Sequence, residues 1–349
     1  FAVAGAGLIA AKNVQALHQC TLTEVLFVGA RSGEKAKAFA DKHAVPSYGT
    51  LEEACEKSEI DAVYLALPTG VRTAYALRAI AAGKHVVVEK PAGANVQEVE
   101  SIVQAAAKRG VVYMDGTMWV QATRTAHIDA LLRGGELGTV VQAHAAFTAR
   151  FPKEGVAAGI RGNPDLEAAG GLGDMGWYTV GAILFAFGEM PLRVSATAQR
   201  LENGNTYQAF GRLEFSGGRV AQFDAGYGAP LRQFVEICCE KGVVRVDDLV
   251  NPPTGSIASF EGPSVAVPST YSLVKDPSGV WVASAPEVVA VPGVEYVHEV
   301  EMFLKFANAV LVGKQNPHWV TSSLQNQRVI DALLQSAASD GSYVTISSS

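Results

Sequence analysis

The sequence predicts an α/β protein in which a doubly wound parallel sheet precedes an α+β domain built on a mostly antiparallel sheet. Residues 1–117 alternate short Val-rich runs with helical patterns, which is typical of parallel strands joined by helices that cover both faces. Beyond residue 118 the pattern soon becomes nearly all strand, and Gly, Asn and Asp turns separate the runs. We therefore expect two domains, 1–117 and 118–349. The length of 349 residues agrees, because single hydrophobic cores rarely grow that large.

The composition indicates a compact protein that acts on small molecules. The formal net charge is −6, and no Lys/Arg-rich run is present, so we expect neither a nucleic acid nor an anionic membrane surface as a partner. The four cysteines show no CxxC spacing, so we expect no metal site. No apolar run reaches the length of a membrane span, so we expect a soluble protein.

The first residues leave the compartment open. The chain begins on an apolar strand, without an initiator Met or a signal-peptide pattern, so we expect an N-terminus that was processed or truncated. The cytoplasm is the default assignment, and an organelle is the alternative.

Strand and helix patterns alternate along the first domain. Two helix starts carry capping residues: Thr50 precedes Glu53 by three positions, and Asn95 precedes Glu98 by three. A further helix over 69–82 should end at Gly83, and the helix after Asn95 should end at Gly110. Strands are predicted at 1–4, 25–29, 62–67, 85–88 and 111–114.

The second domain begins with a helix and continues as a sheet. Helices are predicted at 122–133 and 176–187, and a closing pair at 298–312 and 321–336. The segment 251–292 is rich in Pro, Ser and Gly, so we expect loops and edge strands there. Strands are predicted at 192–201, 207–215, 219–227, 234–239 and 243–246.

A GxGxxA motif lies between the first strand and the first helix. Gly5 permits a tight turn, Gly7 allows the backbone to approach a pyrophosphate, and Ala10 is small enough for the helix to pack closely on the strand. Leu8 and Ile9 begin the helix, whose N-terminus favours phosphate. The context indicates a dinucleotide-binding Rossmann domain; an ordinary tight turn is the alternative.

The residues after the second strand indicate NADP rather than NAD. An acidic residue there would bind the adenosine ribose, whereas this chain has Ala30, Arg31 and Ser32. Arg31 is suited to pair with a 2′-phosphate, and Ser32 to donate to it. The alternative is that Arg31 is a solvated loop residue.

Lys90 follows the predicted strand 85–88 directly, between Glu89 and Pro91. Ligands of open α/β sheets bind at the carboxyl ends of the strands, so Lys90 is a candidate for contact with the cofactor and substrate. An ordinary surface lysine is the alternative.

Asp174 and Tyr178 follow a Gly-rich loop and are four residues apart, so one helix would place both on the same face. A tyrosine near an ammonium group can exchange a proton, because the positive charge favours the phenolate. The alternative is that Tyr178 packs in the core while Asp174 caps the helix.

Together these residues resemble the Gfo/Idh/MocA family of oxidoreductases, and in particular its dimeric dihydrodiol dehydrogenase and NADP-dependent xylose dehydrogenase branch, with plant-type members. The resemblance extends through the segments 4–10, 61–68, 89–91 and 170–178. It implies a Rossmann domain and an open-faced sheet that forms a homodimer. It also implies that Lys90 contacts the substrate hydroxyl, that Tyr178 is the acid/base, and that Asp174 holds substrate hydroxyls.

The resemblance also implies cofactor contacts. We expect Leu67, Pro68, Thr69 and Glu89 beside the cofactor, and Trp119 on the nicotinamide side of the cleft. The chain departs from the family after Leu67-Pro68, where an Asn and a His three residues later are common. Thr69 and Arg72 occupy those positions.

The leading hypothesis is an NADP-dependent oxidoreductase that transfers a hydride between nicotinamide and a sugar, cyclic polyol or vicinal diol, or the corresponding carbonyl compound. The alternative is a catalytically idle NADP-binding protein that acts as a sensor or assembly subunit.

Overall fold

The structure is a computed structural model that describes residues 1–251, 272–275, 281–284 and 297–346. The chain forms two compact units. The first contains residues 1–122 and 294–327, and the second contains residues 123–293 and 328–349.

A parallel sheet of six strands forms the centre of the first unit. The strand order is β3-β2-β1-β4-β5-β6, and every pairing is parallel, which is the order of a Rossmann fold. The predicted α/β class is confirmed. The strands are β1 (Ala2–Ala4), β2 (Phe27–Gly29), β3 (Ser47–Gly49), β4 (Ala62–Leu65), β5 (His85–Val88) and β6 (Tyr113–Asp115).

Helices connect these strands, and their ends follow the capping residues. Thr50 and Glu53 form the predicted capping box, Asn95 accepts a hydrogen bond from the Glu98 amide, and Gly110 ends its helix with a φ of 73°. The helices are α1 (Leu8–Gln19), α2 (Gly33–His43), α3 (Leu51–Glu56), α4 (Thr69–Ala81) and α5 (Val96–Arg109). A 3₁₀ turn, Met118–Gln121, follows β6.

The second unit contains a sheet of order β12-β11-β7-β10-β9-β8-β15, in which the pairing of β7 with β10 is parallel and the others are antiparallel. The prediction of a mostly antiparallel sheet is confirmed. Its helices are α6 (Thr123–Arg133), α7 (Lys153–Ala158), α8 (Gly170–Asp174) and α9 (Gly176–Phe187). The strands are β7 (Val140–Thr148), β8 (Arg193–Arg200), β9 (Thr206–Glu214), β10 (Val220–Gly226), β11 (Arg232–Cys239), β12 (Gly242–Val246), β13 (Ser272–Lys275), β14 (Trp281–Ser284) and β15 (Val344–Thr345).

The predicted limit of the second domain, 118–349, differs from the observed units, because residues 294–327 join the first unit. Two helices follow β14 in the described chain, α10 (Val297–Leu311) and α11 (Pro317–Ala337), and the division falls within α11. Apolar packing on the first unit accounts for the difference. Phe303 contacts the rings of Phe1 and Tyr64, and Phe306 contacts Phe1.

Polar contacts attach the same C-terminal segment to the first unit. Lys12 of α1 forms an ion pair with Glu299 at 2.5 Å. The Gln315 side chain accepts a hydrogen bond from the Tyr113 amide at 2.8 Å and donates one to the Tyr113 carbonyl oxygen at 3.0 Å. Gln315 thereby pairs with the main-chain amide and carbonyl groups of Tyr113 at the edge of β6, as a neighbouring strand would.

Three strands were missed from the sequence. β3 and β15 are only three and two residues long, and three of the nine residues of β7 are Ala, which has weak strand preference. Of the segment 251–292, the structure describes residue 251 and the strands β13 and β14, which pair with each other; the other residues lie outside the described part.

No helix in the described part of the chain has the length and apolar character needed to cross a membrane. In the same residues, no group of three or more His, Cys, Asp or Glu side chains is arranged to hold a metal ion.

Candidate active site

The carboxyl ends of β1, β4 and β5 carry most of the predicted cofactor residues. Gly5 follows β1, the loop Leu67–Pro68 follows β4, and Glu89 with Lys90 follows β5. In a parallel sheet these ends lie on one edge, where β1 and β4 form the point at which the strand order reverses. The structure therefore brings these residues to the edge at which Rossmann folds bind ligands.

The two glycines of the GxGxxA motif differ in whether the fold itself requires glycine at that position. Gly5 has a φ of +120°, and a Cβ there would collide with the carbonyl oxygen of Ala66, so the fold itself requires glycine. Gly7 has a φ of −100°, and a Cβ there would have no neighbour within 4 Å. The fold therefore tolerates a side chain at Gly7, and the open space fits an external group at that position.

The first turn of α1 is exposed and has no side-chain cap. Leu8 is 82 % exposed and Ile9 is 45 % exposed, whereas Ala10 is buried against the core. Gly7 is the N-cap residue, and it has no side chain with which to accept a hydrogen bond from the first turn. An exposed helix N-terminus of this kind favours a phosphate group, so these residues fit the pyrophosphate of a dinucleotide.

Arg31 and Ser32 follow β2 at the same edge of the sheet, and both are exposed. Ser32 is also the N-cap of α2, where its Oγ accepts a hydrogen bond from the Lys35 amide at 3.4 Å. Ala30 is buried and leaves no carboxylate at this position. A Rossmann fold carries its ribose-binding residue after this strand, and the contact of Arg31 and Ser32 with a 2′-phosphate stays a prediction.

Glu89 is buried, and its side chain is held within the first unit. The Tyr64 hydroxyl donates to Oε1 at 2.6 Å, and the Lys90 amide donates to Oε2 at 3.1 Å. Asn13 of α1 donates in turn to the Tyr64 hydroxyl at 2.8 Å. A Cβ on Gly116 would lie 2.9 Å from Oε1, so Gly116 leaves the space that this carboxyl occupies.

The charge of Glu89 is set by competing effects. Burial raises the pKa of the Glu89 carboxyl, while the hydrogen bond from Tyr64 and the charges of Lys90 and Arg72 lower it. Burial also raises the pKa of Tyr64, so the phenol remains a hydrogen-bond donor. The contact of Glu89 with the cofactor stays a prediction, and in the structure its side chain links Tyr64 of β4 to the main chain at Lys90.

The remaining predicted residues of the first unit differ in exposure. Lys90 is partly exposed, whereas Thr69 and Trp119 are buried, Trp119 in the 3₁₀ turn after β6. The role of Trp119 at the nicotinamide stays a prediction. Sequence reasoning noted Arg72 only as a departure from the family, yet its guanidinium contacts the loops after both β4 and β5.

In the second unit, Asp174 and Tyr178 lie on successive helices rather than on one. α8 ends at Asp174, α9 begins at Gly176, and Met175 between them is the boundary residue of both. Tyr178 is buried, and its ring contacts Phe147 of β7 edge-on at 5.2 Å between centroids. The helix predicted at 176–187 is confirmed as α9, but Asp174 lies outside it, because Met175 interrupts the regular helix between the two residues.

Asp174 belongs to a polar cluster that the sequence did not indicate. Its Oδ2 accepts hydrogen bonds from Arg161 Nε at 3.0 Å and from the Tyr227 hydroxyl at 2.9 Å. The Arg161 guanidinium also lies over the ring of Phe151, 5.3 Å from its centroid. Burial and the Asp174 charge raise the pKa of Tyr227, which keeps this phenol a donor. Tyr178, Asp174 and Arg161 thus present an acid/base candidate, an acceptor and a cation within one unit.

Comparison with protein families identifies both parts of the chain. Residues 1–117 match the oxidoreductase family with an NAD-binding Rossmann fold, and residues 125–245 match the GFO/IDH/MocA C-terminal domain. The chain belongs to the GFO/IDH/MocA oxidoreductase family. The predicted resemblance and the predicted oxidoreductase class are confirmed.

Two curated relatives and one solved structure illustrate the similarity. Trans-1,2-dihydrobenzene-1,2-diol dehydrogenase of Oryctolagus cuniculus is 30% identical over 264 residues, which is 74% of this chain and 78% of the relative. D-xylose 1-dehydrogenase (NADP(+)) 2 of Haloferax volcanii is 28% identical over 338 residues, 97% of each chain. The aldose-aldose oxidoreductase of Caulobacter crescentus, crystallised with glycerol, superposes with a TM-score of 0.80 at 21% identity and covers 99% of this chain and 98% of its own.

These relatives bear on the two functional hypotheses. The names of both curated relatives describe dehydrogenases, and neither supports the alternative of a sensor or assembly subunit. A nicotinamide-dependent oxidoreductase acting on CH–OH groups is therefore the class to which this family member belongs.

Proposed function

We propose that the protein is an NADP-dependent oxidoreductase that interconverts a hydroxyl and a carbonyl on a sugar, cyclic polyol or vicinal diol. The position of Lys90 carries the proposal. It is the second residue after β5 at the ligand-binding edge, and its amide donates a hydrogen bond to the buried Glu89 carboxyl. The relatives act on a dihydrodiol and on D-xylose by name, which supports this substrate class.

Preference for NADP rests on Arg31 and Ser32. A guanidinium pairs with a phosphate dianion through two parallel hydrogen bonds, and the absence of a carboxylate at Ala30 removes the group that would repel the 2′-phosphate. The NADP(+) in the name of the Haloferax volcanii relative supports the same choice.

In the proposed mechanism the bound dinucleotide supplies the hydride acceptor or donor. Lys90 donates a hydrogen bond to the reacting oxygen of the substrate and stabilises negative charge there. In the oxidation direction, the Tyr178 phenolate oxygen accepts the hydroxyl proton while the carbinol carbon loses its hydride to the bound dinucleotide and the C=O bond forms; in reduction the Tyr178 phenol returns that proton. Asp174 accepts a hydrogen bond from a neighbouring substrate hydroxyl, and Arg161 holds the Asp174 carboxylate in place.

We also propose that two copies associate through the second sheet. Tyr178 of α9 packs on the face of β7 that carries Phe147, and the opposite face of the sheet carries Phe210, which is 45 % exposed. An extended sheet surface with exposed aromatic side chains is typical of a two-fold interface.

The experiment that tests the function is a substrate panel with the purified protein and NADP+, followed by NADPH absorbance. We expect turnover with at least one sugar, inositol or trans-diol, and a loss of about 100-fold or more in Tyr178→Phe. The variant keeps the ring that packs on Phe147 and lacks only the hydroxyl. An absence of turnover with every member of the panel, in both directions, would overturn the proposal.

A further inference from the structure

Arg72 is buried at the ligand-binding edge of the first sheet, although its side chain carries a permanent charge. It is 3 % exposed and lies in the first turn of α4, three residues after Thr69. Arginine is rarely fully buried without partners that satisfy its donors, so the contacts of this side chain indicate why it is there.

The guanidinium joins two loops that are separate in sequence. Arg72 Nε donates to the Leu67 carbonyl oxygen at 2.9 Å, and Nη2 donates to the same oxygen. Arg72 Nη1 donates to the Pro91 carbonyl oxygen and, at 3.4 Å, to Thr69 Oγ1. The first loop follows β4, and the second follows β5 and contains Lys90.

The planar fork of arginine is suited to this geometry. Its donors have fixed directions, so one side chain can hold two carbonyl oxygens at a constant separation. A lysine has one nitrogen on a flexible stem and cannot reproduce that constraint. The charge also acts on Glu89, since Arg72 opposes the effect of burial on that carboxyl.

We propose that Arg72 is a positioning residue that fixes the loop after β4 against the loop that carries Lys90. It acts through the main-chain carbonyl groups of Leu67 and Pro91. The claim that Arg72 holds the two loops together does not depend on the proposed function. The claim that Arg72 affects turnover does rest on it.

Hydrogen exchange tests whether Arg72 holds the loops after β4 and β5 together, and this measurement does not require turnover. In Arg72→Lys, the amides of residues 66–69 and 90–94 should exchange faster than in the unmodified protein, while amides of the second unit keep their rates. Arg78→Lys is the matched control, because Arg78 lies on the same helix but is exposed and paired with Glu56. Unchanged exchange in both loops of Arg72→Lys would overturn the proposal.

Steady-state kinetics test whether Arg72 positions Lys90 for catalysis. We expect kcat to fall about 10-fold or more in Arg72→Ala, with a smaller change in KM, because displaced catalytic groups weaken transition-state stabilisation. Added guanidinium should restore part of kcat, whereas methylammonium at equal ionic strength should not, because its single nitrogen lacks the planar fork that sets the separation of the two carbonyl oxygens. A role in stability alone would lower the folded fraction and leave kcat per folded molecule unchanged, which would contradict the proposal.

The two experiments separate the possible failures. If the unmodified protein turns over no substrate, the proposed function fails, and the exchange experiment still decides whether Arg72 braces the loops. If Arg72→Ala does not fold, Arg72→Lys takes its place in both measurements, with a lower kcat and faster exchange as the supporting result.

Discussion

The Tyr64 hydroxyl donates a 2.6 Å hydrogen bond to the carboxyl of Glu89, and both side chains are buried. Tyr64 lies in the central strand β4, and Glu89 follows β5 immediately before Lys90. This contact therefore links the interior of the Rossmann sheet to the residue on which the proposed catalysis depends.

Removing the Tyr64 hydroxyl should destabilise the protein in a pH-dependent manner. Burial raises the pKa of the Glu89 carboxyl in the folded protein above its value in the unfolded chain. The protonated carboxyl therefore contributes to stability at low pH, and this contribution is lost as the pH rises through the folded pKa. Tyr64→Phe removes a donor that stabilises the ionised form, which raises that pKa further. The free energy of unfolding should fall by about 1–3 kcal/mol at neutral pH and by less in mild acid.

Urea unfolding at the two pH values checks this, with Tyr48→Phe as the control, since Tyr48 is 44 % exposed. An equal loss at both pH values would show that Glu89 is not the group affected.

Adding a methyl group at Gly7 should separate cofactor binding from folding. A Cβ there has no neighbour within 4 Å, so Gly7→Ala should unfold at nearly the same temperature as the unmodified protein. NADPH affinity should fall about 10-fold or more, because the methyl group would occupy the approach of the pyrophosphate. Fluorescence titration measures the affinity. Gly155→Ala, also in open space, is the control, and unchanged affinity in Gly7→Ala would place the phosphates elsewhere.

Reversing the charge at Arg31 should reverse the cofactor preference. The unmodified protein should bind NADPH more tightly than NADH, and Arg31→Asp should bind NADH more tightly, because a charge-assisted pair is replaced by repulsion. Titration with both cofactors measures this. Lys42→Asp makes the same charge change on α2 and should leave the preference as it was. Equal affinities of the unmodified protein for the two cofactors would contradict the role of Arg31.

Lys90 and Tyr178 should act as one catalytic unit, although they belong to different compact units of the chain. Lys90→Met and Tyr178→Phe should each lower turnover, and the double variant should lose less than the product of the two effects. NADPH affinity should stay nearly unchanged in Tyr178→Phe. Strictly multiplicative losses would indicate that the two residues act independently, and a ligand complex with them too far apart for one substrate would exclude the mechanism.

A charge on the open face of the second sheet should dissociate the proposed dimer. Phe210→Glu should sediment as a monomer at micromolar concentration, because a buried, unpaired carboxylate is costly in an interface. Leu311→Glu is the control, since Leu311 is 70 % exposed on α10 in the first unit and should not affect association. A monomeric unmodified protein would contradict the proposal.

The sequence alone determined those features that depend on local chemistry. The helix ends at Thr50, Asn95 and Gly110 follow from caps that each act within a few residues. The placement of Gly5 and Lys90 after their strands follows from strand periodicity and the connectivity of a parallel sheet.

Only the tertiary structure decided which distant side chains meet. The bonds from Tyr64 to Glu89 and from Arg72 to the Pro91 carbonyl join residues separated by 25 and 19 positions, and Arg161 reaches Asp174 across 13. The return of residues 294–327 to the first unit is a long-range packing event of the same kind. Sequence patterns indicate the structural preferences of neighbouring residues. The partners of buried polar groups depend instead on the geometry of the folded core, and no single segment of the sequence determines that geometry.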